Sequence, residues 1–420
     1  MSSPASHSPA GPDPAGSGAA AEQPGYRYPR DAIVVGGGLA GLFAATALAQ
    51  RGWSVRVHEQ AADLRMFGAG IWLWENGLRS LEAIGVLDAA VYRGQRMSAW
   101  EIRDRRGRLL RRRETPPYDR LIVPPRADLY DALKSGAKEA GVEIVTNSQA
   151  LRARPDGTVS FGDGSAAKAS LVVAADGLRS RLRESLRLTK GHRDLGNGAI
   201  RLLIPRLPGE ARDVAEEHWS GSRGLLYNPC SDDYVYLCMV CSQQDTEGRQ
   251  LPVNKASWTA SHPRLAPVIE RIGSEGRWDN FETVEAVRWS AGRVAVVGDA
   301  AHGQPPWLGQ AANLAFANCL ALAEFVSGIS DVGLALSAWE RACRPVTDHT
   351  EHWTNAYGRV VGVWPAALED VRSAAVSAFV RAPFVETMLN RAQRTNLRGL
   401  LSRPATRGLA RGPSDPSSAA

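Results

Sequence analysis

Ala32-Ile33-Val34-Val35-Gly36-Gly37-Gly38-Leu39-Ala40-Gly41 is the stretch on which the fold turns. A short apolar, β-branched run that ends in glycines reads as a buried parallel strand. Leu39 to Gln50 continues as an Ala/Leu-rich helix, and Trp53-Ser54-Val55-Arg56-Val57-His58-Glu59 is the next strand. The unit is a βαβ start with Gly36-x-Gly38-x-x-Gly41 at its first turn. Gly36 permits the tight turn, Gly38 lets backbone approach a pyrophosphate, and Gly41 lets helix and strand pack closely. The helix N-terminus, opened by Leu39 and Ala40, offers N–H groups and a positive dipole to phosphates. Glu59 lies 23 residues after Gly36, where a carboxylate can accept hydrogen bonds from ribose hydroxyls, with Gln60 beside it. These residues predict a dinucleotide site and leave the choice between nicotinamide and flavin open.

Further along, Arg126 to Ala140 reads as a helix with Leu129, Tyr130, Leu133 and Ala137 at helical spacing. Leu171-Val172-Val173-Ala174-Ala175 is a third buried strand, ending in Asp176-Gly177. From about 195 to 290 the pattern changes to alternating strands, such as Ala199 to Ile204, Gly224 to Tyr227 and Tyr234 to Cys241. These predict an antiparallel sheet inserted into the first unit. Arg293 to Asp299 returns to a buried strand, Leu308 to Phe325 is a mostly apolar helix, and long helical segments cover about 331–362 and 366–395. Residues 1–27 and about 402–420 are small and Pro-rich, with the composition of disordered tails.

Composition narrows the function classes. The chain has 420 residues, enough for more than one hydrophobic core. The net charge of +6 is concentrated in Arg103 to Arg113. That cluster has no interleaved aromatics, so it is expected to be a solvated edge hairpin rather than a nucleic-acid surface, or to attract an anionic cofactor such as NADPH. The five cysteines show no framework spacing. Cys238 and Cys241 stand three apart on a strand and so face opposite ways, which argues against a shared metal or disulfide. Neither a secretory signal nor a run long enough for a transmembrane helix is read, and a cytoplasmic location is expected. No metal cluster or Ser/His/Asp constellation is found.

Arg293 to Asn313 reads RVAVVGDAAHGQPPWLGQAAN: a buried strand ending in Gly298-Asp299, a Pro-rich loop, and a helix opening at Gly309-Gln310. Asp176-Gly177-Leu178-Arg179-Ser180-Arg181-Leu182-Arg183 stands between this segment and the first glycine turn. Together these resemble the motifs of the group A (p-hydroxybenzoate hydroxylase-type) FAD-dependent aromatic monooxygenases. Phe67 to Arg79, Ile200 to Arg206, Leu226 to Cys230, Trp339-Glu340-Arg341 and Arg344 to Asp348 are similar to the branch that oxygenates hydroxypyridine carboxylates. The resemblance implies that Asp299 binds the FAD ribitol. It implies that Gly309, Gln310, Ala311, Ala312 and Asn313 point a helix N-terminus at the flavin ring, where its dipole favours an anionic reduced flavin. It also implies cofactor roles for Arg126 and Asp176, although locally Asp176 reads as a helix cap.

The fold expected from the resemblance is α/β: a Rossmann-like, GR2-type FAD-binding domain (28–100, 120–194, 291–325) with an inserted antiparallel β-sheet substrate domain (100–119, 195–290) and C-terminal helices (326–400). The implied enzyme reduces FAD with NADH or NADPH. Oxygen then adds at flavin C4a and is passed to an electron-rich ring carbon of a small aromatic or hydroxypyridine-like substrate, with hydroxylation or ring opening as the outcome. A monomer or homodimer is expected. Tyr236 is the candidate catalytic residue, as a donor to a ring substituent; locally it also reads as an ordinary strand aromatic. Trp72 and Trp100 stand where the branch has pocket tyrosines, and both also suit a core. Arg223, His302 and Pro306 complete the expected pocket, with a structural role the commoner one for such a histidine. The branch's substrate-binding arginine is replaced by Gly224. An unpaired buried anion is costly, so the substrate's carboxylate is not expected to be held in the same way. A flavin oxidoreductase without oxygen insertion and a non-catalytic flavin-binding protein are the alternatives.

Overall fold

The computed structural model describes residues 30–64, 69–362 and 364–395. The tails at 1–27 and 401–420 lie outside the described residues, as do Phe67 and Gly68.

In chain order the elements that position the site are β1 (Asp31–Val35), α1 (Leu39–Ala49), β2 (Ser54–His58), α2 (Glu75–Ala83), β3 (Ala99–Asp104), β4 (Leu109–Glu114), α3 (Arg126–Glu139), β5 (Glu143–Val145) and β6 (Leu171–Ala174). The second half adds β7 (Thr189–Pro205), β8 (Val214–Ser220), β9 (Arg223–Pro229), β10 (Tyr234–Ser242), β11 (Arg277–Ala286), β12 (Ser290–Ala291), β13 (Val294–Val296), α4 (Ala311–Gly328), α5 (Val332–Val361) and α6 (Glu369–Arg381).

A six-stranded sheet runs β12-β13-β6-β1-β2-β5, parallel except at β12. Its central strands are apolar on both faces because helices cover both, as a parallel sheet requires. The alanines of α1 let that helix lie close against α4, where Phe43 and Phe316 stack at 4.9 Å. By length and composition α4 could cross a membrane, yet 67% of it is buried inside the protein.

A seven-stranded sheet runs β11-β7-β10-β9-β8-β3-β4 and is antiparallel except for β8 against β3. Its strands alternate strictly. Ile200, Leu202, Ile204, Val235, Leu237 and Met239 bury against Trp258, Ile269 and Ile272 on one face. Ala199, Tyr236, Cys238 and Val240 face the other way, toward Trp72, Trp74 and Leu308. Cys238 and Cys241 thus fall on opposite faces, and all five cysteines are free and buried.

The arginine cluster departs from expectation. It does form an edge hairpin, β3–β4, but strand periodicity sends every second residue inward. Arg113 is buried, donates to Asp119 (2.6 Å) and Gln393 (2.7 Å), and lies 4.6 Å from the Trp74 ring. Arg111 is buried 5.4 Å from the Trp100 ring. Arg108 and Arg112 point outward to Asp104 and Glu101. Two of its seven arginines are therefore interior cations on indoles rather than solvated charge.

Glu217 on β8 is the most deeply placed carboxyl beneath this sheet, 2% exposed. Its Oε2 accepts from Trp219 Nε1 (3.1 Å) and from the Tyr357 hydroxyl of α5 (3.3 Å). Burial pushes its pKa up to about 7. An unfolded carboxyl ionises near pH 4.5, so between about pH 4.5 and 7 the folded state binds the extra proton and stability falls as pH rises, by roughly 3 kcal/mol at most. Glu217→Gln is expected to flatten this decline. In thermal denaturation from pH 5 to 7.5, the variant's melting temperature should gain on the wild type with rising pH. Parallel curves would contradict the assignment.

Candidate active site

At the first glycine turn, Gly36 has φ +104° and a Cβ there would sit 2.4 Å from the Ala175 carbonyl oxygen. A Cβ on Gly41 would sit 1.9 Å from the Gly36 oxygen. Neither position admits a side chain. Gly38 is different: a Cβ there meets nothing within 4 Å, so its backbone faces open space. Leu39 and Ala40 open α1, which no side chain caps. Glu59 accepts from Gly37 N–H through Oε2 (2.7 Å) and from Ala61 N–H through Oε1 (2.9 Å). Each carboxylate oxygen keeps a further lone pair for a hydroxyl. Gln60 is exposed beside it and accepts from Gln149.

The second motif lies at the other end of the same groove. Gly298, at φ +57°, brings the end of β13 against Ala40. Asp299 is enclosed by protein and yet its side chain is accessible, so it lines an internal cleft. Burial raises its pKa, and Arg126 opposes the shift. Gly309 turns the chain at φ +61° into α4, where Gln310, Ala311 and Ala312 open a helix that no side chain caps. Gln310 Oε1 accepts from Asn76, while its Nε2 is buried without a partner.

Two residues expected at the cofactor also hold the local structure. The amide of Asn313 is consumed by Trp72 O (3.0 Å), Gly309 O (2.7 Å) and Trp74 N (3.0 Å). It locks the α4 turn to the segment before α2. Asp176 caps the following turn, accepting from Ser180 Oγ (2.5 Å) and Leu182 N–H (3.2 Å). Arg183, fully buried, ties that turn to the Asp299 helix through Ala300 O at 2.9 Å.

An open glycine cradle at an uncapped helix, a ribose carboxylate at Glu59, an enclosed carboxylate at Asp299 and a second uncapped helix at Gln310 fit the phosphates, adenosine, ribitol and ring of FAD.

Over this groove stands the near face of the seven-stranded sheet. Its cross-strand rows read Leu203–Tyr236–Asn228, then Arg201–Cys238–Leu226–Glu217, then Ala199–Val240–Gly224–Trp219. Arg201 pairs with Asp279 at 2.8 Å and lies 5.8 Å from the Phe281 ring. Burial works against its charge, but Tyr236, Cys238 and Asp279 outweigh that and hold it protonated. The Tyr236 ring packs on the Gly70 backbone. Burial, reinforced by Cys238, raises its pKa, so the phenol stays protonated and can donate. Burial lowers the pKa of Arg126 and Arg201 adds to that, while Asp299, Tyr236 and Asp279 oppose it, so Arg126 feels charges from both layers.

Arg201 is the residue that the sequence reading passed over. Its signal was a single cation in an apolar alternation, in phase with Ala199 and Leu203. Arg223 was expected in the pocket and is not there. One residue from Gly224 along a strand, it faces the opposite side, where it forms two hydrogen bonds to Asp245 (2.6 and 2.8 Å) and lies 5.1 Å from Trp258. His302 also points away. It is buried 5.2 Å from Trp289 with Asn318 at 3.2 Å, and burial lowers its pKa to about 4. Trp100 is core, 3% exposed and edge-on to Trp72 at 5.5 Å. Trp72 donates to Asn228 (2.9 Å) next to Tyr236, and Pro306 is exposed beside Trp307.

Residues 30–354 match a family model described as FAD binding domain. The 2-heptyl-3-hydroxy-4(1H)-quinolone synthase of Mycobacteroides abscessus is 40% identical over 80% of this chain and 92% of its own length. The 6-hydroxynicotinate 3-monooxygenase of Bordetella bronchiseptica is 30% identical over 73% of this chain and 86% of its own. A tetrameric form of 2-methyl-3-hydroxypyridine-5-carboxylic acid oxygenase superposes with a TM-score of 0.79 at 32% identity, covering 88% of this chain and 97% of that one. The α/β fold, the FAD groove and these likenesses agree: the chain belongs to the FAD-dependent aromatic monooxygenases.

Proposed function

We propose that the chain uses NAD(P)H and oxygen to hydroxylate a neutral, electron-rich N-heteroaromatic substrate of the 4(1H)-quinolone type at ring carbon 3. The observation that carries this reading is the cluster of Arg201, Tyr236 and Asp279, with the uncharged row of Ala199, Val240 and Gly224 beside it on the same sheet face. It supplies donors for one polar ring substituent and only a glycine where the family branch holds a carboxylate.

Carbon 3 of a 4-quinolone lies between the carbonyl and a carbon conjugated to N1. The nitrogen lone pair therefore makes it nucleophilic; as carbon 3 takes up the oxygen, positive charge develops on N1, and loss of the carbon 3 proton restores the ring. Bound FAD supplies the electrophilic oxygen. Tyr236 donates to the ring oxygen and Arg201, held by Asp279, donates to it as well, so the ring is pinned with carbon 3 presented for attack. Asp279 fixes the guanidinium plane so that no reorganisation is needed during the reaction. The 40% identical relative, named for the 3-hydroxylated 2-heptyl product, supports the same substrate class.

The purified protein should be yellow, and 2-heptyl-4(1H)-quinolone should stimulate NAD(P)H oxidation and give a product 16 Da heavier whose added oxygen comes from labelled O2. Stimulated oxidation that yields only hydrogen peroxide would overturn the reading. Arg201→Gln is expected to lower kcat/KM by about 100-fold or more, mostly in kcat, and Tyr236→Phe by about 10-fold or more, in line with removal of one preorganised donor. Arg223→Gln, on the far face, should destabilise the sheet without changing KM.

A further inference from the structure

Eight of the chain's tryptophans belong to the clusters on the two faces of the seven-stranded sheet, and two that touch each other, Trp219 and Trp307, each pack where a glycine's Cβ would stand. A Cβ on Gly224 would lie 2.6 Å from the Trp219 ring, and a Cβ on Gly358 would lie 2.3 Å from Trp307 Nε1. Gly224 stands in a strand and Gly358 in the interior of α5, where glycine is unfavourable. Each leaves the space that an indole occupies. The two indoles meet at 5.8 Å, and Trp307 packs edge-on to Phe281 at 5.1 Å. Phe281 in turn lies 5.8 Å from the Arg201 guanidinium. An aromatic wall therefore begins at the polar cluster and runs away from it, along the row of Ala199, Val240 and Gly224. Trp307 is partly exposed, whereas Trp219 is fully buried behind it.

We propose that Trp307, backed by Trp219, is the specificity-determining wall that receives an apolar arm of the substrate, an alkyl chain at ring carbon 2, and that Glu217 is the positioning residue that sets it. This rests on the reaction assigned above. Carbons 2 and 3 are adjacent, so a ring held by its oxygen at Arg201 and Tyr236 directs a substituent at carbon 2 along the sheet rather than into the polar cluster. Glu217 accepts from Trp219 Nε1 and from Tyr357, the residue before Gly358. One carboxyl thus fixes the indole on the sheet side and the stretch of α5 that seats the indole on the helix side. Nothing cationic lies on this wall among the described contacts of Trp219 and Trp307, which suits a hydrocarbon and not a second anion.

The test uses FAD-loaded holoenzyme and equilibrium dialysis of 2-methyl- and 2-heptyl-4(1H)-quinolone, with turnover measured in parallel. Full burial is worth about fourfold in affinity per methylene. The wild type should bind the heptyl compound at least about 100-fold more tightly than the methyl one. Trp307→Ala should cut that preference about 10-fold or more while leaving the methyl compound's Kd within about threefold, and in turnover the loss should fall on KM for the heptyl substrate with kcat little changed. If Trp307→Ala fails to retain FAD, Trp307→Leu carries the same comparison. Glu217→Ala should reproduce much of the loss, and Glu217→Gln, which keeps a carbonyl acceptor, should restore most of it; a merely structural role would lower affinity for both compounds alike. Equal Kd values for the two compounds in the wild type, or a preference unchanged in the Trp307 variants, would overturn the wall. Absence of a hydroxylated product from either compound would instead overturn the assigned reaction, and the dialysis ratio would still decide the wall.

Discussion

The constraint that the rest of the structure serves is the confinement of charge in one enclosed cleft. Arg126 and Arg201 come from different layers, α3 below and β7 above, and they are matched there by Asp299 and Asp279. Arg201 and Asp279 are partly buried, and their pairing offsets part of the cost of that burial. The matching also acts on ligands. On the proposed reading, a neutral heteroaromatic ring adds no charge of its own, and its oxygen meets donors already in place. The position beside Val240 supplies no cation for a substrate carboxylate: it is Gly224, and the Trp219 ring fills the space a side chain there would take. On the proposed reading, the polar pair and the uncharged row beside it suit the same kind of molecule.

What could be read from the sequence follows from the range over which each residue acts. Gly36, Gly38 and Gly41 work through backbone sterics within a few ångström of themselves, so their pattern announces the turn without knowledge of the rest of the fold. The same holds for Gly298-Asp299 and Gly309-Gln310 at the ends of their strand and helix. Residues whose roles depend on facing were harder. Arg223 and Gly224 are neighbours in sequence and opposites in space, so a reading one residue out of phase moved a far-face ion pair into the pocket. His302 follows Asp299 by three residues, but the intervening short helix turns it inward onto Trp289, away from the cleft.

Arg201 and the buried arginines of β4 show the converse problem. Charge in a sequence suggests solvent, and only the pairing of strands reveals that Arg111 and Arg113 lie on Trp100 and Trp74 or that Arg201 lies between Asp279 and Tyr236. The three cases share a mechanism. A long aliphatic stem carries the guanidinium across apolar surface, and an aromatic face or a carboxylate receives it. Asn313 belongs to the same class of hidden role: it sits inside a cofactor motif, yet its amide is spent on Trp72, Trp74 and Gly309.

Gly224 and Gly358 complete the division of labour between the glycines. Those of the first turn bring backbone toward a ligand, whereas these two admit neighbouring indoles. A glycine inside a strand or helix costs roughly 0.5–1 kcal/mol relative to alanine, while packing an aromatic ring into well-fitted surroundings returns more than that. The balance favours the wall, but only if the indoles are held in one orientation, since a ring free to rotate would leave voids on either side. Glu217 supplies that restraint from a position where a carboxyl is itself expensive to bury. Its cost is met by the two donors that it orients, so the polar group least at home beneath the sheet is the one that gives the apolar end of the cleft a defined shape.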